Sequence, residues 1–480
     1  MNTFSRITAA LLAAVMLASF TACAVTDSGV KGEDTVTTPT QQREENKSPY
    51  TDEEIAMYNG YAEDYAKRAD VISKATVDNY VDSRLYKRQN TVSLSEVVNI
   101  TKSGKLTPSG SASVWHYTSF MAMVSRMMAV SESDYYAQLY PDVYTSIKYY
   151  EGTTSIITYN GTSQNSMYAV HRASEPGKAN IAGVEAVYDD QMWIIRELIY
   201  VYNLTGNEDY LEEAVRLTGV CLDGWDTTKD AKGEEIGGIC WGPGYQTKHT
   251  CSNAPLIVAL VDLHDIYEAK GDGEKAEYYL NWAEKVYNFC IKYFLMGNGI
   301  YGDLVGSSRE LEGSGKKRHY VTTSQSTGLD TSAYTYNTGA MIAGGAALYR
   351  VTGEEKYYKQ TKKSVKAVTN FFTDAKVLDG YRLWPTGRIW FNLILLEGVL
   401  EFYDADPKDC MEVIETFRAS LDYGYDNYLQ DGFLPNNFLK GWDSKNTKDS
   451  AKDVMDQTSC ATMYAELSAF YARLAATGEK

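Results

Sequence analysis

The sequence is poor in histidine and cysteine, the side chains that most often bind zinc and other transition metals. Its five histidines are scattered without ligand spacing, and its seven cysteines match no zinc pattern. The sequence therefore predicts neither a metal centre nor a cofactor. Cys240 and Cys251 flank one loop, so a disulfide between them is one reading, and two isolated buried thiols are the other.

Positive charge is also scarce. The formal net charge is -17 at pH 7, so nucleic acid and anionic membrane surfaces would repel the chain. This balance argues against both as partners and is compatible with a neutral substrate. The 39 tyrosines offer a flat apolar face and a polar tip, which suits carbohydrate, although many are expected to pack between helices.

The N-terminal apolar run is too short to span a membrane stably. It follows Arg6 and ends in Ser19-Phe20-Thr21-Ala22-Cys23, which resembles a bacterial lipoprotein signal with cleavage before Cys23 and a lipid on its sulfur. An ordinary cleaved signal peptide is the alternative, and both readings export the protein. The polar, charged stretch that follows indicates a flexible tether. We predict a signal peptide over 1–22, a tether over 23–48 and one domain over 49–480.

Alternating strand patterns are few, and the chain is helical in pattern from Pro49 onward. Two kinds of helix alternate. Helices that are apolar nearly all round must be buried, whereas one-sided helices lie at the surface. The buried kind is predicted at 114–130, 191–204, 254–267, 339–349, 390–403 and 461–474. The amphipathic kind is predicted at 52–75, 134–150, 208–222, 274–291, 354–372 and 408–421.

The short links between the two kinds repeat. The segment from Tyr202 to Tyr210, with Thr205-Gly206, is echoed by the segment from Tyr349 to Tyr357, with Thr352-Gly353. Repeats at this scale indicate stacked helical hairpins. Six hairpins predict an all-α fold, an (α/α)6 barrel of alternating inner and outer helices. An open solenoid is the alternative, and it would call for polar capping helices at both ends.

A closed ring would bring the long links that enter the inner helices together at one end. Function tends to lie on long loops that a rigid scaffold holds. These links carry the adjacent pair Asp189-Asp190 and a good share of the aromatic and amide side chains, and His116 and His249 also lie there. We therefore predict that one mouth of the ring holds the functional site.

The pair Asp189-Asp190 stands where a long apolar helix begins. Two carboxyl groups, one acting as acid and the other as nucleophile or base, are what glycosidic bond cleavage requires. The plainer interpretation is that Asp189 caps the helix and Asp190 favours its positive end. The surrounding motifs favour the catalytic interpretation.

Four motifs give the chain a family resemblance. They are Asp189-Asp190-Gln191-Met192-Trp193, Gly237-Gly238-Ile239-Cys240-Trp241, Thr250-Cys251-Ser252-Asn253-Ala254 and Thr335-Tyr336-Asn337-Thr338-Gly339. Each stands at or just before a predicted inner helix. In this order they resemble glycoside hydrolase family 76, the endo-α-1,6-mannanases and related fungal cell-wall proteins. The segment before Ser113 has no match, and the later hairpins carry weaker motifs.

The resemblance implies that Asp189 is the nucleophile and Asp190 the acid/base of a retaining mechanism. Large aromatic residues are expected to stack on sugar rings, although core packing is the alternative. Amide side chains are expected to bond sugar hydroxyls, although capping or hydrogen bonding within the first helical turn is the alternative. The predicted substrate-binding residues are Gln191, Trp241, Asn253, Tyr336, Asn337, Trp384 and Trp390.

The sequence thus predicts an exported, lipid-anchored bacterial endo-α-1,6-mannanase, a monomer whose partner is α-mannan. Its only membrane contact would be the lipid anchor, at the cell surface or in the periplasm. A non-catalytic glycan-binding lipoprotein is the rival of another class, and the intact acidic pair argues against it. A mannan transglycosidase would use the same nucleophile, and another six-hairpin glycosidase with a different sugar specificity is the last alternative.

Overall fold

The computed structural model describes residues 49–100, 105–442 and 451–478. The predicted signal peptide, the tether and the lipidated Cys23 lie outside these residues. The described residues form two compact units, one of residues 65–467 and one of residues 49–64 with 468–478. Nothing in this division tests the predicted single domain, which stays a prediction. Among the described helices, none combines the length and the apolar character needed to cross a membrane.

Long helices alternate along the chain in two sets. The inner set consists of α3 (Val114–Val130), α5 (Tyr188–Thr205), α7 (Ala254–Ala269), α9 (Thr335–Thr352), α11 (Ile389–Phe402) and α13 (Val454–Gly478). The outer set consists of α1 (Asp52–Tyr80), α4 (Tyr135–Ser146), α6 (Glu208–Asp223), α8 (Gly273–Phe294), α10 (Glu355–Phe372) and α12 (Pro407–Tyr428). One short helix, α2 (Ser83–Gln89), lies between α1 and α3.

The inner helices pack against their neighbours in chain order. Helix α5 contacts α3 and α7, and helix α9 contacts α7 and α11. The ring closes where the hydroxyls of Ser119 on α3 and Thr458 on α13 lie 2.6 Å apart, both buried. The predicted all-α class and (α/α)6 arrangement are confirmed.

The repeated Thr-Gly links end the inner helices as the pattern predicts. Gly206 and Gly353 follow α5 and α9 with φ of 69° and 67°. Each donates its backbone N–H to a tyrosine carbonyl four residues earlier, Tyr202 and Tyr349. Glycine is favoured at this left-handed position because it has no Cβ to clash.

The long links contain strands that the sequence pattern did not indicate. Two antiparallel hairpins dominate, β3 (Glu151–Ile157) with β4 (Thr162–Tyr168) and β6 (Leu304–Glu312) with β7 (His319–Leu329). Short strands complete the set: β1 (Val97–Ile100), β2 (Leu106–Ser109), β5 (Lys248–His249), β8 (Asp374–Leu378), β9 (Tyr381–Leu383) and β10 (Ala451–Asp453). The larger hairpins are rich in Ser and Thr, and few of their residues are buried, so they lack the apolar alternation that identifies a strand.

A buried ionic cluster joins four inner helices. Arg126 on α3 contacts Glu197 on α5 at 2.6 Å, Glu466 on α13 at 2.8 Å and Glu397 on α11 at 3.6 Å. Arg196 on α5 contacts Glu397 at 3.2 Å. Because Arg126 is the shared partner of three carboxylates, it ties together helices that are distant in sequence.

Replacing Arg126 by leucine should destabilise the protein strongly. Removing one partner of a buried ion pair costs about 3–5 kcal/mol, because the remaining charge stays buried and uncompensated. Thermal unfolding at pH 8 should show a large fall in Tm. The fall should be smaller at acidic pH, because burial raises the pKa values of Glu197 and Glu466 and so favours their uptake of protons. The control is Lys359→Ala, which removes an exposed pair with Glu355 and should change stability by less than about 1 kcal/mol. Equal Tm values for Arg126→Leu and Lys359→Ala would contradict the role of the cluster.

Candidate active site

The acidic pair lies in the first turn of α5. The helix is preceded by Val187 in an extended conformation, with no side-chain cap, so Asp189 is not the N-cap residue. Asp189 is partly exposed, whereas Asp190 is only 8% exposed. An Oδ1 atom of Asp189 accepts a 3.0 Å hydrogen bond from the backbone N–H of Asp190.

The two carboxyl groups have different electrostatic environments. Burial raises the pKa of Asp189 to about 6. Burial also raises the pKa of Asp190, well above its usual range, and the negative charge of Asp189 raises it further. Ionising both groups at once is unfavourable because like charges this close repel. The arrangement therefore favours one ionised group, Asp189, beside one protonated group, Asp190.

Two side chains act on Asp189 as donors that lower its pKa, the indole of Trp241 and the thiol of Cys251. The Trp241 contact is loose, since its buried Nε1 makes no hydrogen bond of regular geometry within the described residues. Cys251 also contacts Tyr336 through a hydrogen bond. The described cysteines are all free thiols, so Cys240 and Cys251 form no disulfide. Sequence reasoning missed Cys251 as a neighbour of Asp189, although it lies inside a quoted motif.

The Gly-Gly pair of the second motif is required by close packing. Gly237 and Gly238 have φ of 78° and 83°. A Cβ on Gly238 would lie 2.2 Å from the ring of Phe289, and one on Gly237 would lie 2.8 Å from the ring of Trp225. Only glycine fits this backbone, which carries the chain towards Trp241.

A fully buried ion pair holds the same loop. Lys248 Nζ lies 2.7 Å from Asp226 Oδ2 and donates to the carbonyl of Gly237, also at 2.7 Å. Asp226 accepts a second bond, 2.6 Å long, from the hydroxyl of Thr322 on β7. Because a buried charge needs a partner, this pair fastens the Gly-Gly loop to β5 and to the β6–β7 hairpin.

The predicted amide residues lie at the starts of inner helices, where their side chains hydrogen-bond to backbone groups of neighbouring segments. Gln191 exchanges hydrogen bonds with the N–H and carbonyl of Tyr168. Asn253 does the same with Ile239. Both are fully buried, so their amides have little capacity left for a sugar. Asn337 is also fully buried and makes long contacts to Gly302 and Asp303, while its Oδ1 has no partner among the described residues.

The predicted aromatic residues fall into two groups. Tyr336 and Trp241 are partly exposed beside the acidic pair. Trp384 is 3% exposed, and its ring stacks on Phe417 at 4.0 Å and 3°. The structure therefore does not favour Trp384 as a sugar-binding residue, because Phe417 covers one face of its ring and the residue is buried. Trp390 is 5% exposed, so it supports the mouth from below.

The two histidines of the mouth are held by hydroxyl groups. Ser113 Oγ lies 2.7 Å from His116 Nδ1, and Thr247 Oγ1 lies 2.8 Å from His249 Nε2. Burial lowers the pKa of His249 to about 4, so it is neutral near pH 7. No group of side chains suited to a metal ion occurs in residues 49–100, 105–442 and 451–478.

A protein-family model and a characterised relative are both similar to this chain. The model described as "Glycosyl hydrolase family 76" matches residues 142–468. The mannan endo-1,6-alpha-mannosidase DCW1 of Saccharomyces cerevisiae is 31% identical over 170 residues, 35% of this chain. The match spans 33% of that relative's length.

Two solved structures are similar to the chain along most of its length. The family 76 glycoside hydrolase (mannosidase) of Bacteroides thetaiotaomicron has a TM-score of 0.63 at 21% identity, covering 84% of this chain and 98% of that one. An inactive variant of the α-1,6-mannanase GH76A of Salegentibacter sp. HEL1_6, in complex with α-1,6-mannotriose, has a TM-score of 0.58 at 17% identity. The superposition covers 99% of the Salegentibacter chain and 85% of this chain. At these identities the likeness establishes the fold alone.

Replacing a buried aspartate by asparagine should have opposite effects on stability at Asp190 and at Asp226. In Asp190 the folded pKa exceeds the unfolded value, so folding costs free energy once the pH rises above about 4. Asp190→Asn should therefore raise the free energy of unfolding at pH 7, a gain that shrinks towards pH 4. The matched control Asp226→Asn leaves Lys248 buried and unpaired and should cost about 3–5 kcal/mol. Denaturant unfolding from pH 4 to 8 measures both, and a destabilised Asp190→Asn at pH 7 would contradict the prediction.

Proposed function

Because the chain belongs to glycosyl hydrolase family 76, we propose that it hydrolyses α-1,6-mannosidic bonds within mannan backbones with retention of configuration. The observation that carries this proposal is the unequal acidic pair Asp189 and Asp190 at the start of an inner helix. Two relatives support the substrate. DCW1 is named an endo-1,6-alpha-mannosidase, and the Salegentibacter mannanase was solved with α-1,6-mannotriose.

In this proposal Asp189 is the nucleophile. It is the more exposed carboxyl, it has the lower pKa of the pair, and donors from Trp241 and Cys251 favour its ionised form. The partial positive charge at the N-terminus of α5 acts in the same direction. The inactive form of the Salegentibacter mannanase has two adjacent aspartates replaced, which supports a catalytic role for a consecutive pair.

Asp190 is then the acid and later the base. Its raised pKa keeps the proton that the leaving group needs. In the first step an Asp189 oxygen bonds to the anomeric carbon, the glycosidic C–O bond breaks, and the Asp190 proton moves to the leaving oxygen. In the second step Asp190 takes a proton from water, the water oxygen attacks the anomeric carbon, and the bond to Asp189 breaks. Two inversions give retention.

The surroundings suit a neutral sugar. Trp241 and Tyr336 flank Asp189, and both are partly exposed. The indole N–H of Trp241 is buried and acts on Asp189, so the partly exposed ring is the part of this residue that can contact a sugar. The predicted sugar contacts of Gln191 and Asn253 are not favoured, because their amides already bind backbone.

Two other functions share these observations. A transglycosidase would form the same intermediate on Asp189 and pass the sugar to another hydroxyl in place of water. A glycan-binding lipoprotein would have no use for two buried carboxyl groups with raised pKa values. The cost of burying this pair favours an enzyme over a binding protein, and product analysis separates hydrolysis from transfer.

We further propose that the protein is exported, anchored by a lipid on Cys23, and monomeric. The support is the apolar run before Cys23 and the polar stretch after it. The substrate is consistent with export, because a mannan polysaccharide is too large to enter a cell intact.

Substitution of either aspartate should abolish mannan cleavage. With debranched α-1,6-mannan, the wild-type domain should release a ladder of short oligosaccharides. Asp189→Asn should be inactive, because no carboxylate attacks the anomeric carbon. Asp190→Asn should lose about 10²–10⁴-fold, the usual contribution of acid–base catalysis, and should recover on aryl mannosides whose leaving groups need no proton. Chromatography of the products measures all three.

The control is Asp209→Asn, an exposed residue in the first turn of α6, which should keep wild-type activity. Full activity in Asp189→Asn would overturn the role assignment. A folded wild type that is retarded in a mannan-containing gel but releases no products would favour the binding protein.

The pH dependence of kcat/KM should follow the acidic pair. The rate should fall below pH 6 as Asp189 takes up a proton, since the pKa of this carboxyl is about 6. It should fall again on the alkaline side, where Asp190 loses its proton. The two apparent values belong to the coupled pair. A rate that is constant from pH 4 to 6 would contradict this assignment.

Lipidation should decide where the protein is found. Expressed as the full chain in a bacterial host, the wild type should sediment with membranes. Cys23→Ala should move to the soluble exported fraction, because the acyl chains supply the membrane affinity. Mass spectrometry of the mature N-terminus provides the direct check. An unmodified Cys23 in the mature protein would refute the anchor.

A further inference from the structure

The start of α5 is fastened to the segment of residues 240–247, which we call the Trp241 loop. The carbonyl oxygen of Trp241 accepts a 2.7 Å hydrogen bond from the backbone N–H of Tyr188, the first residue of α5. The indole of the same residue acts on the carboxyl group of Asp189 as a donor. One residue therefore contacts both the backbone and a carboxyl group of the helix turn that carries the acidic pair.

The Trp241 loop also packs directly on the segment that leads into α5. A Cβ on Gly242 would lie 2.7 Å from the carbonyl oxygen of Ala186, and one on Gly244 would overlap the carbonyl of Gly183. Groups packed this closely leave no space that could absorb a displacement. A shift of the Trp241 loop is therefore transmitted to the start of α5.

Arg309 on β6 holds the Trp241 loop from the β6–β7 hairpin. Its Nη2 donates a 2.6 Å hydrogen bond to the carbonyl of Pro243, and its Nη1 lies 3.9 Å from the sulfur of Cys240. Its guanidinium carbon lies 3.6 Å from the centre of the Tyr320 ring on β7. The planar guanidinium thus binds the loop at two points while it stacks on an aromatic face, which a lysine could not do.

The hairpin that carries Arg309 is anchored by contacts that do not involve this residue. The hydroxyl of Thr322 on β7 donates a 2.6 Å hydrogen bond to the buried carboxylate of Asp226. The backbone N–H of Tyr320 donates a 2.9 Å hydrogen bond to the carbonyl of Thr158, which follows β3. Arg309 therefore extends from a strand whose own place is fixed by two other segments of the chain.

We propose that Arg309 is a positioning residue for the nucleophile Asp189, acting through the carbonyl of Pro243 and the Trp241 loop. This inference rests on the proposed function, because the orientation of Asp189 matters for catalysis only if this carboxylate attacks the sugar. A misplacement of reacting groups by about 1 Å costs about 10²-fold in rate. A contact that sets the place of the Trp241 loop should therefore affect turnover more than substrate affinity.

The kinetic test compares Arg309→Met with Arg309→Lys on debranched α-1,6-mannan. Arg309→Met should lower kcat about tenfold, the effect of a displacement smaller than 1 Å, with little change in KM. Arg309→Lys keeps one donor for Pro243 and should recover part of the loss. The acid limb of the kcat/KM profile should move to higher pH in Arg309→Met, because the displaced indole of Trp241 no longer favours the ionised form of Asp189.

The control is Arg318→Met, the same change at an exposed arginine just before β7, which should keep the wild-type kcat and pH profile. An unchanged kcat in Arg309→Met would overturn the proposal. So would a rise in KM at constant kcat, which would make Arg309 a substrate contact.

Hydrogen exchange at the amide of Tyr188 tests the same coupling without catalysis. This amide should exchange about tenfold faster in Arg309→Met than in wild type, the effect of losing one hydrogen bond to a charged group, and should be unchanged in Arg318→Met. Unchanged exchange in Arg309→Met would refute the coupling, and so would an equal acceleration in α10, which would indicate general destabilisation. If wild type releases no products, the proposed function fails, and the exchange rates alone decide whether Arg309 positions the start of α5.

Discussion

Ionising both carboxyl groups of the consecutive residues Asp189 and Asp190 near neutral pH is unfavourable. Removing them from water raises both pKa values, and the charge on Asp189 raises the pKa of Asp190 further. Burial is thus the constraint that separates one base from one acid. The surrounding structure holds these two groups at the start of α5, where Gln191 is hydrogen-bonded to the backbone of Tyr168.

Amide side chains fix the starts of three inner helices to neighbouring backbone. Gln191, Asn253 and Gln457 each stand at the beginning of an inner helix and exchange hydrogen bonds with the backbone of a preceding segment. A side-chain amide offers both a donor and an acceptor, so one residue can satisfy a backbone N–H and carbonyl that no strand or helix partner reaches. The long loops at the mouth of the ring are therefore held by specific hydrogen bonds to the starts of the inner helices.

At the level of the ring, charge performs a similar task. Arg126 links helices α3, α5, α11 and α13 through three glutamates, and the buried pair Lys248 and Asp226 fastens the Gly-Gly loop. Such groups are costly to bury and contribute little net stability once paired. They favour one packing of the helices over others, because an alternative packing would leave one of these charges without its partner, at a cost of several kcal/mol.

The amino-acid sequence by itself determined the helical architecture and the location of the acidic pair. Apolar periodicity and the repeated Thr-Gly links depend on local chemistry, so they predicted the two sets of helices, although α5 begins at Tyr188 rather than Gln191. Only the tertiary structure decided which aromatic rings reach the mouth. Trp384 is buried against Phe417, whereas Trp241 and Tyr336 remain partly exposed near Asp189. The physical reason is that the exposure of an aromatic ring depends on how neighbouring helices pack against it, which cannot be inferred from the residue type.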